Sequence, residues 1–105
     1  MTDIVNVIKG AMRMSVASEI IENDIYNCVQ ACKADLDLAG VRKIDENDPL
    51  IIMALTAYVK SEFNYNNIGE RYKRSYETLK TRLALAGKYN NEVEDDSRDN
   101  INMQN

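Results

Sequence analysis

The sequence predicts an all-α fold, a small bundle of about four helices over residues 1–88 followed by a disordered acidic C-terminal tail over residues 89–105. Three observations carry that expectation. Apolar residues recur at helical rather than alternating spacing, and helix start and stop signals bracket the stretches where they do. The chain also has one Pro and four Gly among 105 residues, too few turn formers for the many short strands of an all-β domain.

The first helix spans about 3–12, with Ile4, Val5 and Ile8 on one side and Gly10 weakening its end. The second runs from about 19 to 39. Ser18 is its predicted N-cap, and Glu19 and Glu22 sit where the helix dipole favours negative charge. Ile21, Ile25, Cys28, Val29, Cys32, Leu36 and Ala39 form one apolar stripe. Asn23, Asn27, Gln30, Lys33 and Asp37 occupy the other faces, so the helix is expected to lie on a core with a polar back. Gly40 stands where a left-handed residue would end it. "LALAG" at 83–87 suggests the same ending used again.

The third helix opens with the strongest start signal in the chain, Asp48 as N-cap and Pro49 at the first helical position. On a wheel, only Met53, Thr56 and Lys60 share an outward sector. Leu50, Ile51, Ile52, Leu55, Tyr58, Val59 and Phe63 cover the remainder, so this helix is expected to be buried on most sides, within the domain or between subunits. The fourth, about 68–86, has Asn67 as expected N-cap with Glu70 three residues on. Tyr72, Tyr76, Leu79, Leu83 and Ala86 form its inward stripe. Beyond Tyr89, "NNEVEDDSRDNINMQN" has too few apolar groups to offset its ordering entropy.

Charge is distributed in blocks. Residues 1–68 carry six basic and ten acidic side chains, residues 69–88 six basic and two acidic, and the tail sets Arg98 against Glu92, Glu94, Asp95, Asp96 and Asp99. A segment of +4 therefore lies between two of −4. Within it Arg71, Arg74 and Arg82 flank one side of the inward stripe, and Lys73 and Lys80 the other. Glu70 and Glu77 are spaced to pair with Arg74, Lys73 and Lys80. A solvated face, phosphate contact and a match to an acidic neighbouring subunit all suit this pattern.

Catalytic chemistry finds little support. There is no His, and no G-x-S-x-G, phosphate-binding loop or dinucleotide fingerprint, so an enzyme is not expected. Cys28 and Cys32 cannot complete a tetrahedral zinc site alone, and they read as small apolar residues of a core. No cofactor or metal is expected. No apolar run approaches the roughly 20 residues that cross a bilayer, and "MTDIVNVIKGAMRM" lacks a secretory pattern, so an intracellular origin is expected.

The stretch "NDPLIIMALTAYVKSEFNYNN", followed by "ERYKRSYETLKTRLALAGKY", resembles the head–tail connector family of long-tailed bacteriophages, whose members are often labelled DNA-packaging proteins. An earlier pattern of that family is met by "NDIYNCVQACKADLDLAGV", with Asn23 where the family has an acidic residue. The resemblance covers about residues 3–90, and the tail beyond matches no family pattern. It implies a structural virion protein at the portal vertex, made in the host cytoplasm or encoded by a prophage. Such connectors assemble into a ring, typically dodecameric, beneath the portal protein. The ring extends the DNA channel, makes transient non-specific contact with packaged DNA, and receives the stopper or tail completion protein. No cofactor, reaction or membrane is implied.

Tyr58, Phe63, Tyr65, Arg71, Arg74 and Arg82 are accordingly the candidates for subunit or DNA-channel contact. Val93, Ile101 and Met103 are the candidate portal-docking anchors in the tail. The rival reading is a small helical DNA-binding module using the basic fourth helix, against which the acidic tail would repel a duplex.

Overall fold

The computed structural model describes residues 3–15 and 17–90. Four helices, α1 (Asp3–Ala11), α2 (Glu19–Leu38), α3 (Pro49–Glu62) and α4 (Gly69–Leu85), are followed by a last turn, α5 (Gly87–Asn90). No strand occurs among the described residues. The all-α bundle expected from the sequence is the one observed.

Local chemistry sets most of the boundaries. The Ser18 hydroxyl accepts from the Ile21 amide at 3.3 Å and starts α2. Gly40, at φ +104°, ends it. The amides of Gly40 and Val41 turn back onto the carbonyls of Asp37 and Leu36, at 3.0 and 2.9 Å, satisfying two otherwise orphaned acceptors. Asp48 caps α3 through the Leu50 amide at 2.9 Å, with Pro49 beginning the helix.

Two expected signals act differently. Asn67 does not cap α4. Asn64, Asn66 and Asn67 all adopt left-handed backbone in the α3–α4 turn, and it is the Asn64 side chain that accepts from the Gly69 amide, at 2.9 Å. Asparagine tolerates that conformation better than most residues, which is why a run of them makes so tight a connection. Gly87 does not repeat the Gly40 ending either. Ala86 takes an extended conformation, and Gly87 opens α5 instead of reversing α4.

The core collects Ile4, Val5 and Ile8 of α1, Ile25, Val29, Cys32 and Leu36 of α2, Ile51, Ala54, Leu55, Ala57 and Val59 of α3, and Tyr76 and Leu83 of α4. Each aliphatic side chain of Val, Leu or Ile size buried there contributes about 1.5–3 kcal/mol. α3 lies at the centre, touching α1, α2 and α4. Its apolar surface is thus largely covered within one chain. Leu50 departs from the expected inward set and is 43% exposed, while Met53 faces outward as the wheel implies.

Polar ties cross between helices. Lys9, buried at the end of α1, pairs with Glu22 of α2 at 2.6 Å. Lys33 pairs with Glu46 of the α2–α3 loop. Cys32 lies in the core, and burial pushes its thiol from an ordinary 9.0 up to about 12.

Tyr89 and Asn90, the first two residues of the expected tail, are seated on the bundle. Tyr89 is buried, its hydroxyl donates to Asp48 Oδ2 at 2.8 Å, and its carbonyl accepts from the amides of Arg42 and Lys43 at 2.7 and 3.1 Å. Asn90 Nδ2 donates to the Ala84 carbonyl at 2.8 Å. The stretch beyond Tyr89 is poor in apolar groups, yet the one aromatic ring of Tyr89 suffices to seat the turn. The rest of the expected tail, with Val93, Ile101 and Met103, lies outside the described residues.

Candidate interface surfaces

On α4, Arg71, Arg74, Thr78 and Arg82 fall three, seven and eleven residues along, which is one stripe of a helix. The antiparallel packing of α4 on α3 sets that stripe beside Met53. Met53, Arg71, Arg74, Ser75, Thr78, Leu79 and Arg82 line one open groove. It continues over Ile52, Thr56, Ala57, Lys60 and Tyr72. The floor is apolar and one rim is guanidinium.

Among the described residues the three arginines have no carboxylate partner. Of the pairs expected within α4, only Lys80 with Glu77 forms, at 3.0 Å. Lys80 also reaches Asp35 of α2 at 2.9 Å, so this lysine is committed to the bundle's interior seam.

At the far end of the groove Lys60 lies 5.1 Å from the ring centroids of both Tyr65 and Tyr72. The two rings are tilted against each other at 6.2 Å. Tyr65 therefore belongs to the same face as the arginines.

Tyr58 and Phe63 do not. Tyr58 is half-buried and meets Tyr76 edge to face at 5.1 Å. Phe63 caps α3 and lines a shallow hollow with Asp24, Asn27, Cys28 and Glu62, on the side facing α2. The sequence-based candidates thus divide into a groove set (Tyr65, Arg71, Arg74, Arg82) and a pair packed towards α2 (Tyr58, Phe63).

A second surface was missed in the sequence. The back of α2 was expected to be polar, but Ile20 is 75% and Leu38 86% exposed, with Ala31 and Ala34 exposed between them. These four share one side of α2, opposite its buried stripe. Glu19 and Asp24 are exposed beside them. The signal was available, since Ile20, Ala31, Ala34 and Leu38 also recur at helical spacing, but the more strongly apolar inner stripe overshadowed it. Leu85, near the end of α4, adds an apolar side chain at 79% exposure.

The described residues contain no group of three or more His, Cys, Asp or Glu side chains placed to hold a metal ion. No helix among them is long and apolar enough to cross a membrane.

The described residues thus form a four-helix bundle with a basic, apolar-floored groove on one side and exposed apolar side chains of α2 on another. Residues 4–90 match the family model described as phage connector protein, and the chain belongs to that family. The role this family defines is structural, the joining of parts of a phage particle. No curated protein and no solved structure matches the chain.

Proposed function

We propose that this protein is a head–tail connector whose copies close into a ring between the portal and the stopper or tail completion protein, extending the channel through which DNA passes. The family match over residues 4–90 carries this reading. A ring requires a heterologous interface, in which two different patches of one subunit meet head to tail. The groove between α3 and α4 and the outer stripe of α2 are two such patches. The groove offers Met53, Arg71, Arg74 and Arg82, and the α2 stripe offers Ile20 and Leu38 beside Glu19 and Asp24. Apolar side chains gain cover, and opposite charges fix the register. Tyr65 extends the groove side of the contact. Tyr58 and Phe63 act behind it, holding α3 and α4 in place against α2.

Arginines left at the channel wall would touch DNA phosphates weakly and without regard to sequence, which suits a conduit. The acidic segment after Asn90, with Val93, Ile101 and Met103 as anchors, docks on the portal. Capture experiments with the tagged chain in infected or induced cells test the reading, with portal as the expected main catch. Recovery of an unrelated partner in place of portal overturns it. A DNA-binding module would instead bind random duplex at submicromolar concentration, with steep loss of affinity as salt rises.

A further inference from the structure

The outer faces of α2 and α4 share one spacing. On α2, Asp24, Asn27, Ala31, Ala34 and Leu38 are all exposed, at alternating intervals of three and four residues. On α4, Arg71, Arg74, Thr78, Thr81 and Leu85 are exposed at the same intervals in the same order. Such alternation draws a straight seam along a helix, the repeat by which two helices pack side by side. Taken in order, every α2 residue of the seam stands 47 positions before its α4 counterpart. We infer that α2 of one subunit lies parallel to α4 of the next in this register, along the arginine rim of the groove. Asp24 then meets Arg71, Asn27 meets Arg74, and Leu38 meets Leu85, with Ala31 and Ala34 on Thr78 and Thr81 between them. The inference rests on the ring reading and supplies the direction and register of its subunit contact.

Chemistry changes along the two seams in step. At their N-terminal ends a carboxylate faces guanidinium, and none of Asp24, Arg71 and Arg74 has an ion-pair partner among the described residues. In the middle the side chains are small, so the helix axes can approach to about 8 Å. The Thr81 hydroxyl already donates to the Glu77 carbonyl at 3.0 Å, so covering it strands no donor. At the C-terminal ends two leucines, 86% and 79% exposed, cover each other. An antiparallel pairing would instead set Asp24 against Leu85 and Leu38 against Arg71. Charge and apolar complementarity therefore select the parallel arrangement.

The fold supplies the direction that a ring needs. Asp35 of α2 meets Tyr76 and Lys80 of α4, and the Tyr89 carbonyl beyond α4 accepts from the Arg42 and Lys43 amides beyond α2. The two helices thus run the same way within a subunit. Rotation through the small angle between members of a many-membered ring nearly preserves that direction, so α2 and α4 of adjacent copies come together parallel. Their level agrees as well. The contacts within a subunit join residues 41 to 47 positions apart. An offset of 47 therefore keeps adjacent copies at one height to within about 9 Å. An offset far outside that range would step each copy along the axis and build a filament.

Engineered thiols test the register. Leu38→Cys and Leu85→Cys are combined in the full chain with Cys28→Ser, leaving Cys32 buried. Rings assembled on portal are oxidised mildly and run on a denaturing gel. A ladder of disulfide-linked multimers is expected, and no ladder when Leu38→Cys is combined with Arg71→Cys. A ladder from the second pair would make the helices antiparallel, and rings without a ladder from the first pair would put the contact elsewhere. Either result overturns the register and leaves the ring reading standing. Because the leucines themselves belong to the contact, charge exchange provides an independent measure. Asp24→Arg and Arg71→Asp are each expected to lower the yield of rings, and the two together to restore it. No recovery in the double variant would overturn the pairing. Absence of rings from the unaltered chain would overturn the ring reading, and the register with it.

Discussion

The Tyr76 hydroxyl of α4 donates to Asp35 Oδ2 of α2 at 2.6 Å, and Lys80 reaches the same oxygen at 2.9 Å. The three side chains tie the helices on either side of α3 to each other. Burial and the Asp35 carboxylate both push the Tyr76 phenol well above its ordinary range, while the Tyr76 hydroxyl bond, with Lys80, holds the Asp35 carboxyl below 3.8. Tyr76→Phe leaves Lys80 to satisfy Asp35 and keeps the ring packing against Tyr58. It is expected to lower stability by about 1–2 kcal/mol in urea unfolding.

Stability should fall at both ends of the pH range. Asp35 and Asp48 have folded pKa values below the ordinary 3.8, so their contribution is present above that value and is lost as pH falls through the depressed ones. Cys32, at about 12 against 9.0, and the raised Tyr76 act oppositely. Above pH 9 the unfolded chain releases protons that the folded chain retains, so stability declines as pH rises. Urea midpoints measured across pH are expected to show a plateau between these limits, and Cys32→Ala should remove part of the alkaline slope.

The α3–α4 turn has no room at Gly69. A Cβ there would lie 2.8 Å from Asn64 Oδ1, 3.0 Å from the Ser61 carbonyl and 3.1 Å from Asn64 Cα. Gly69→Ala therefore displaces backbone as well as the capping side chain, at an expected cost of about 1–3 kcal/mol. Gly10→Ala is the contrast. A Cβ there meets nothing within 4 Å on an exposed helical position, and a gain of about 0.5–1 kcal/mol is expected in the same unfolding measurement.

Tyr89 should act as a latch. Its removal by Tyr89→Ala leaves the Arg42 and Lys43 amides without the carbonyl position that the ring holds in place. Hydrogen exchange at those two amides is expected to accelerate while exchange within α3 stays slow.

Much of this fold was legible because its signals are local. Ser18, Gly40 and the Asp48-Pro49 pair each act within a few residues, and each functions as its residue type implies. The pairs Tyr76–Asp35 and Tyr89–Asp48 are each 41 residues apart, and periodicity reports which side of a helix is buried without saying which neighbour meets it. Asn67 was misassigned because three asparagines compete for one cap, and the winner depends on the turn's backbone. The arginine face was readable from spacing within α4. Its meeting with Met53, and the apolar back of α2, needed the helices placed in space.

The interface itself can be probed by charge. Replacing Arg71, Arg74 and Arg82 together by Glu touches no ion pair among the described residues, so the helical content and unfolding midpoint should change little. Association between copies should be lost, as read by sedimentation in the presence of portal. Asp24→Arg, on the facing stripe, should weaken association in the same assay.

The most direct measurement is native mass analysis with negative-stain imaging of the purified protein, alone and mixed with its portal. Closed rings of this chain seated on the portal are expected, lost in the triple Arg→Glu variant. A well-folded monomer that associates neither with its own copies nor with portal would contradict the account.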